Sequence, residues 1–89
     1  MSNDEFLKLS KKLVADCTNS TQHQKQITED DVFIVWSCKT LQNNKALLGT
    51  HCADGLYFEV TYNGDKKETY FDVYKKSANY LVKDEDWKR

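Results

Sequence analysis

Residues 53–65, ADGLYFEVTYNGD, decide the fold because two turn motifs enclose a run that alternates large apolar and polar side chains. Asp54-Gly55 and Asn63-Gly64 are dipeptides typical of two-residue hairpin turns, where positive φ angles are required. Between them the even-numbered residues are apolar or aromatic, whereas the odd-numbered residues include Tyr57 and Glu59. Because side chains alternate between the two faces of a strand, the stretch predicts a strand with one buried and one exposed face, joined by hairpins to both neighbours.

The segment before this strand also favours β-structure, because residues 32–36 are all β-branched or aromatic. A third hairpin turn at Asn43-Asn44 predicts a register in which residue 40 pairs with 47, 51 with 58 and 60 with 67. Cross-strand partners share a face, so this register gives a four-stranded meander with one nearly continuous apolar face. That predicted core face consists of Val32, Ile34, Trp36, Cys38, Leu47, Gly49, His51, Leu56, Phe58, Val60, Tyr62, Phe71 and Val73.

The opposite face of the predicted sheet mixes aromatic, acidic and apolar side chains. Its polar and aromatic members are Lys39, Thr50, Tyr57, Glu59, Thr61, Glu68, Tyr70 and Asp72, and its apolar members are Phe33, Val35, Leu41 and Leu48. An apolar and aromatic patch with a charged rim has the composition of a protein interface. The sequence leaves open whether a loop, a second copy of the chain or another protein covers this patch.

Helical spacing replaces strict alternation at both ends of the chain. Near the amino terminus, Phe6, Leu9 and Leu13 recur at helical spacing, and Ser2 with Glu5 forms a capping-box pattern. The predicted elements are a helix over 1–19, a loop over 20–31, the sheet over 32–73, a short helix over 74–83 and a frayed tail over 84–89. The predicted class is therefore α+β, in the order α-β-β-β-β-α, with residues 1–89 forming a single domain.

The charge and the apolar content of the chain argue against several classes of function. The net charge is −1 and the isoelectric point is about 6.1, whereas a duplex nucleic-acid binder normally needs a clear basic excess. The longest apolar run is five residues, 32–36, far short of the ~20 that a membrane-spanning helix needs. The amino terminus lacks a basic segment followed by an apolar one, so we expect no secretory signal and a cytoplasmic location.

Residue motifs for catalysis or metal binding are also missing from the sequence. It contains no glycine-rich phosphate loop, no nucleophile elbow and no HExxH motif. The three cysteines, Cys17, Cys38 and Cys52, show no CxxC or CxxH spacing, which argues against a structural zinc site. We therefore predict a protein that is not an enzyme and has no cofactor or metal, with a small-molecule-sequestering or enzymatic role as the third alternative.

The leading hypothesis is a partner-binding site on the mixed face. Its predicted residues are Tyr57, Glu59, Tyr70 and Asp72, with Lys39 nearby. Aromatic side chains anchor protein contacts, and carboxylates favour a basic partner. The alternative is nucleic-acid binding through Lys75, Lys76 and the first-helix lysines Lys8, Lys11 and Lys12. A homodimer through the mixed face is compatible both with a patch that is merely covered and with a patch that functions in binding.

The stretch from Ile27 to Lys76 resembles a known protein family. The segments ITEDDVFIVWSCKTLQNNKALLGT and DGLYFEVTYNGDKKETYFDVYKK are similar to small uncharacterised proteins encoded by phages and prophages of Gram-positive bacteria. The resemblance implies no catalytic or ligand-binding residues, because the family has no assigned function. It implies a setting in which small proteins bind and block a host component, such as a replication, transcription or defence protein with a basic nucleic-acid-binding surface.

Overall fold

The computed structural model of the protein describes residues 1–21, 26–52 and 55–87. Its elements are α1 (Asn3–Thr21), a 3₁₀ turn (Glu29–Asp31), β1 (Val32–Thr40), β2 (Asn43–Thr50), β3 (Leu56–Asn63), β4 (Glu68–Lys75) and α2 (Asp84–Trp87). The four strands form one antiparallel sheet in the order β1-β2-β3-β4. The predicted α+β class and the order α-β-β-β-β-α are confirmed.

The predicted first helix forms, with its predicted capping box at the amino terminus and with one side packed on the sheet. The Glu5 N–H donates to Ser2 Oγ at 3.1 Å, and the Ser2 N–H donates to Glu5 Oε1 at 3.4 Å, which satisfies two amides of the first turn. One stripe of α1 is buried against the sheet: Phe6, Ser10, Val14, Ala15 and Thr18. The helix packs on β1, β2 and β3.

The core lies between α1 and the side of the sheet that it covers, which we call the helix face. This face carries Val32, Ile34, Ala46, Leu48, Phe58, Val60, Tyr62, Phe71 and Val73. Phe58 is fully buried at its centre, and its ring stacks on Phe71 with centroids 5.8 Å apart. As predicted, the even-numbered side chains of β3 form the buried face of that strand.

The β1–β2 turn corrects the predicted register. Thr40 pairs with Asn43, so the turn is Leu41-Gln42, with Leu41 at φ 57°, and not Asn43-Asn44. Asn44 lies inside β2, is buried, and its amide donates to Asn3 Oδ1 of α1 at 3.4 Å. Asn43 and Asn44 are thus residues of β2, and their side chains form hydrogen bonds with the β3–β4 loop and with α1, respectively.

The register between β2 and β3 reverses the two faces of β2, whereas the shift of four positions between β1 and β2 exchanges no face. Leu48 pairs with Phe58 and Ala46 with Val60, whereas the prediction paired residue 49 with 60. The pairing is therefore shifted by three positions, and an odd shift exchanges the faces of a strand. Leu48 is consequently buried under α1, whereas the sequence predicted it on the mixed face. Leu47 and Gly49, predicted in the core, lie on the other face.

A β-bulge between Ile34 and Trp36 corrects the predicted faces of β1 as well. The extra residue, Val35, changes the alternation, so Trp36 and Cys38 leave the predicted core face and Lys39 moves onto the helix face. The burial predicted for His51 and the face predicted for Leu41 are also wrong. His51 is exposed, with its ring centroid 5.2 Å from that of Phe33, and Leu41 lies in the turn rather than on a face.

The β3–β4 hairpin differs in length but keeps its predicted faces. Asn63 pairs with Glu68, so the loop has four residues, 64–67, instead of two. Val60 consequently pairs with Phe71 rather than with residue 67, an even-numbered shift that leaves each side chain on its predicted face. In the predicted Asp54-Gly55 turn, Asp54 lies outside the described residues, and Gly55 has φ 70°.

The carboxyl-terminal helix lies later in the chain than predicted. Tyr74 and Lys75 continue β4 by pairing with Tyr57 and Leu56, and the Lys76 N–H donates to the Gly55 carbonyl at 2.8 Å. Residues 76–83 have no helical or strand assignment, and α2 forms only over Asp84–Trp87. Residues 22–25 of the predicted loop and 88–89 of the predicted tail lie outside the described part of the chain.

Candidate functional site

The candidate site is the side of the sheet away from α1, which we call the open face. Its positions are Phe33, Trp36, Cys38, Thr40, Asn43, Lys45, Leu47, Gly49, Tyr57, Glu59, Thr61, Asn63, Glu68, Tyr70, Asp72 and Tyr74. Four of its aromatic side chains are 39–51% exposed, namely Phe33, Trp36, Tyr70 and Tyr74. Aromatic groups left half in water on one face form the kind of patch that interaction surfaces use.

One end of the open face is an aromatic row built around a glycine. Phe33 pairs with Gly49, and Tyr57 pairs with Tyr74. A Cβ placed on Gly49 would lie 2.8 Å from Phe33 Cζ, so the Phe33 ring occupies the space that a side chain at Gly49 would fill. An aromatic ring that covers a strand glycine shields the backbone hydrogen bonds of the strand pair from water. The ring and Gly49 therefore form one continuous apolar surface.

The next row joins apolar and acidic side chains. Trp36 pairs with Leu47, Leu47 with Glu59, and Glu59 with Asp72. Glu59 and Asp72 are thus a direct cross-strand pair of carboxylates. Lys45 Nζ lies 3.4 Å from Glu59 Oε1 and offsets part of that charge, although a partly exposed ion pair contributes only about 0–1 kcal/mol. The row runs from a tryptophan at one edge of the sheet to a carboxylate at the other.

The third acidic group of the open face is held by a tyrosine. The Tyr70 hydroxyl donates to Glu68 Oε2 at 2.7 Å. That hydrogen bond, and to a lesser degree the charge of Glu68, raise the pKa of Tyr70 above its ordinary value. Tyr70 therefore stays a neutral hydrogen-bond donor well above neutral pH.

Replacing Glu68 with glutamine is expected to lower the pKa of Tyr70 towards its ordinary value. The neutral amide removes the carboxylate that stabilises the protonated phenol, which is the largest cause of the shift. The measurement is a pH titration of the tyrosine Cζ resonances by NMR. Glu59→Gln is the matched control because Glu59 makes its ion pair with Lys45 instead. Identical Tyr70 titrations in the two variants would contradict the assigned contact.

The predicted partner-binding residues separate into two groups. Tyr57, Glu59, Tyr70 and Asp72 all lie on the open face, within two neighbouring strands. Lys39 lies on the helix face, opposite Asn44, and is not part of the site. The open-face residues that were predicted in the core are Trp36, Cys38, Leu47 and Gly49, and Tyr74 was predicted in a helix. The β-bulge and the Leu41-Gln42 turn carry no sequence motif that predicts them.

The lysines of the nucleic-acid alternative do not form one surface. Lys8 and Lys11 line a groove of about 430 Å³ between α1 and the 3₁₀ turn, shared with Asp4, Leu7, Glu29, Asp30 and Ile34. Lys12 is paired with Asp16 at 3.0 Å. Lys75 and Lys76 lie at the end of β4, an edge strand beyond the strands that α1 covers. Carboxylates beside the helical lysines reduce the positive potential that phosphate binding requires.

The described part of the chain contains neither a metal-binding cluster nor a helix able to span a membrane. Across residues 1–21, 26–52 and 55–87, no group of three or more His, Cys, Asp or Glu residues is arranged to hold a metal ion. Within those same ranges, no helix has both the length and the apolar character to span a membrane. Cys17, Cys38 and Cys52 are free thiols, and Cys38 is exposed on the open face.

Comparison with known proteins gives a family. No curated protein and no solved structure is significantly similar to the chain. A protein family described as "Family of unknown function (DUF6275)" matches residues 7–84, which span most of α1, the whole sheet and the start of α2. Because this match covers most of the chain, the protein belongs to that family of unknown function.

Proposed function

We propose that the protein is a non-enzymatic binding module that captures and modulates another protein through its open face. The observation that carries the proposal is the exposure of Phe33, Trp36, Tyr70 and Tyr74 on a single sheet face next to paired carboxylates. Large aromatic side chains are enriched among the residues that dominate binding energy at protein interfaces. A face that only needed to be solvated would carry polar side chains at these positions.

Charge on the open face favours a basic partner. Glu59 and Asp72 form one cross-strand row, Glu68 lies two rows further along the same face, and Lys45 pairs with Glu59. Carboxylates repel phosphate, which disfavours base stacking on the tyrosines, but they accelerate association with a positively charged protein surface. The partner in this proposal therefore has a basic surface with apolar pockets, such as the nucleic-acid-binding surface of a host protein.

The resemblance of residues 27–76 to phage and prophage proteins supplies the proposed setting. In it, the protein is an accessory factor made in the cytoplasm of an infected bacterium, where it blocks a replication, transcription or defence protein of the host. Occupation of a basic nucleic-acid-binding surface by an acidic, aromatic face is a direct means of inhibition. This setting rests on the resemblance, and the binding face rests on the geometry.

The test is capture of a partner from bacterial lysate by the immobilised protein. Tyr57→Ala combined with Tyr70→Ala is expected to weaken capture by more than about 100-fold, since a central aromatic anchor contributes about 2 kcal/mol or more. Tyr70 is half exposed and Tyr57 only partly buried, so the variant should keep its circular dichroism spectrum. Leu41→Ala is the matched control, because Leu41 is 81% exposed but lies in the β1–β2 turn.

Three results would contradict the proposal. Unchanged capture by the Tyr57/Tyr70 variant would show that the open face is not the contact surface. A gel shift of single-stranded DNA that weakens steeply between low and high salt would favour the lysine-based alternative instead. Loss of fold in the double variant would mean that these two rings belong to the core.

A further inference from the structure

The hydrophobic core stops short at β4. Helix α1 packs against β1, β2 and β3, and the helix-face side chains of β4 lie beyond it. Val73 pairs with the fully buried Phe58 yet is 48% exposed, and Phe71 is only partly buried although its ring stacks on Phe58. The part of the helix face formed by Phe71 and Val73 is thus apolar surface that α1 leaves uncovered.

Among the residues that the structure describes, no strand pairs with the outer side of β4. It is the last strand of the sheet, eight residues long, and contains no proline or glycine that would interrupt pairing. Edge strands of this length expose a row of N–H and C=O groups that readily accept another strand. An apolar strip and an unpaired edge therefore lie side by side.

The segment after β4, residues 76–83, is an exposed arm. Its apolar residues are highly exposed, with Tyr80 at 83%, Leu81 at 84% and Val82 at 62%. The radius of gyration of 15.5 Å exceeds the roughly 12 Å expected for a compact chain of this length. The arm carries Lys76 and Lys83 and no acidic residue, whereas β4 carries Glu68 and Asp72.

We propose that the arm of one copy of the chain adds as a strand to the outer edge of β4 in a second copy, and that the second copy returns the same contact. In an extended arm, Ala78, Tyr80 and Val82 share one side, which places them over Phe71 and Val73 of the partner copy. The arm completes the sheet edge with backbone hydrogen bonds and extends the core over the strip that α1 leaves open. The protein is thus a two-fold dimer with exchanged arms.

The path of the chain after β4 favours a second copy over the arm's own strand. The Lys76 N–H is held by the Gly55 carbonyl, so docking on its own β4 needs a tight reversal directly afterwards, and residues 76–83 contain no glycine or proline. Charge is compatible with the contact, because in an extended arm Lys83 lies on the side opposite Tyr80, which is the side of Glu68 and Asp72 in the acceptor strand. Exchange buries two arms and two strand edges, so a buried area of about 400 Å² on each of the four surfaces reaches the ~1,600 Å² of a standard stable interface. One tyrosine side chain alone buries roughly 150–250 Å².

The test is sedimentation velocity of the full chain over a concentration series. The wild-type protein is expected to convert from monomer to dimer as its concentration rises. Tyr80→Ser combined with Val82→Ser should raise the dimer dissociation constant by at least about 100-fold, and Val73→Asp should do the same from the acceptor side. Leu41→Ser is the matched control, since Leu41 is equally exposed but belongs to neither the arm nor β4. It should dimerise like the wild type.

Hydrogen exchange on the wild-type chain gives a second measurement that does not depend on a variant. Amides on the outer edge of β4 should exchange more slowly as concentration rises, whereas those on the outer edge of β1 should not change. A chain that stays monomeric up to its solubility limit would overturn the proposal, and so would a dimer that survives both the arm and the Val73 substitutions. A dimer lost instead on Trp36→Ala would assign the contact to the open face and would likewise overturn arm exchange.

Discussion

Replacing Leu48 with alanine is expected to lower the free energy of unfolding by about 3 kcal/mol, whereas the same change at Leu47 should cost less than about 1 kcal/mol. Leu48 is fully buried between Ile34 and Phe58 beneath α1. Removing its side chain leaves a cavity among residues that pack tightly, and cavities of this kind cost 2–5 kcal/mol. Leu47 lies on the open face and already contacts water, so truncation removes less buried area.

Urea denaturation followed by circular dichroism measures both changes, with the unfolding free energy extrapolated linearly to water. The two variants remove the same atoms from adjacent residues of one strand, so each serves as the control for the other. The register predicted from turn motifs alone assigns Leu47 to the core and Leu48 to the opposite face. A larger loss for Leu47→Ala would therefore show that β2 has the opposite orientation.

The β3–β4 half of the sheet was predictable because its pattern tolerates an error in loop length. Leu56 to Tyr62 alternate so regularly that the even-numbered residues must share a face, whichever partners they have. The hairpin loop is two residues longer than predicted, which shifts the pairing by four positions and leaves every face unchanged. Tyr57, Glu59, Tyr70 and Asp72 were consequently placed on the correct face before any coordinates.

The β1–β2 half was not predictable, because the register between β2 and β3, shifted by three positions, and the bulge in β1 each exchange the faces of a strand. The β1–β2 turn also differs from its prediction, although its shift of four positions exchanges no face. The Leu41-Gln42 turn has a leucine at positive φ, where asparagine and glycine are the residues expected. The adjacent Asn44 is placed in β2 by its contact with Asn3 of α1, which is a tertiary interaction with no local signature. The bulge at Val35 then reverses the remainder of β1. Trp36 was missed for this reason, and Lys39 was included in the site for the same reason.

The carboxyl-terminal helix shows how pairing overrides helical periodicity. Tyr74, Ala78, Leu81 and Val82 recur at helical spacing, but the first of them pairs across the sheet with Tyr57. Extending an existing ladder by one residue adds a hydrogen bond, whereas starting a helix requires several residues to be fixed before one bond forms. Only the short acidic stretch at 84–87 becomes helical, where the Lys83 N–H donates to Asp86 Oδ2 at 3.3 Å.

Gly64 was expected to be a glycine because of its dihedral angle, but the structure needs a glycine there because a side chain would not fit. The sequence motif assigns it positive φ in a tight hairpin turn, but φ is positive at Lys67 and Gly55 and not at Gly64. A Cβ at Gly64 would instead meet the Gln42 carbonyl oxygen and lie 2.7 Å from Gln42 Cβ. The glycine is required because the β3–β4 loop passes directly against the β1–β2 turn.

Gly64→Ala is therefore expected to lower the free energy of unfolding by about 3 kcal/mol. The added methyl group meets backbone, which no rotamer change can relieve, and overpacking of this kind costs 1–3 kcal/mol. Separating the two loops also weakens the hydrogen bond from the Gly64 N–H to Asn43 Oδ1, now 3.0 Å, which contributes about 1 kcal/mol. The contact between the Gln42 amide and Asp65 links the same two loops and would be disturbed with it.

Gly55→Ala is the matched control, because Gly55 has φ 70° but nothing within 4 Å of the position of a new Cβ. Its expected cost is only the strain of a left-handed backbone, about 1 kcal/mol. Urea denaturation of the two variants thus separates a glycine needed for space from a glycine needed for its dihedral angle. Equal losses, or a smaller loss at Gly64, would show that the two loops are further apart and that Gly64 serves only the local turn.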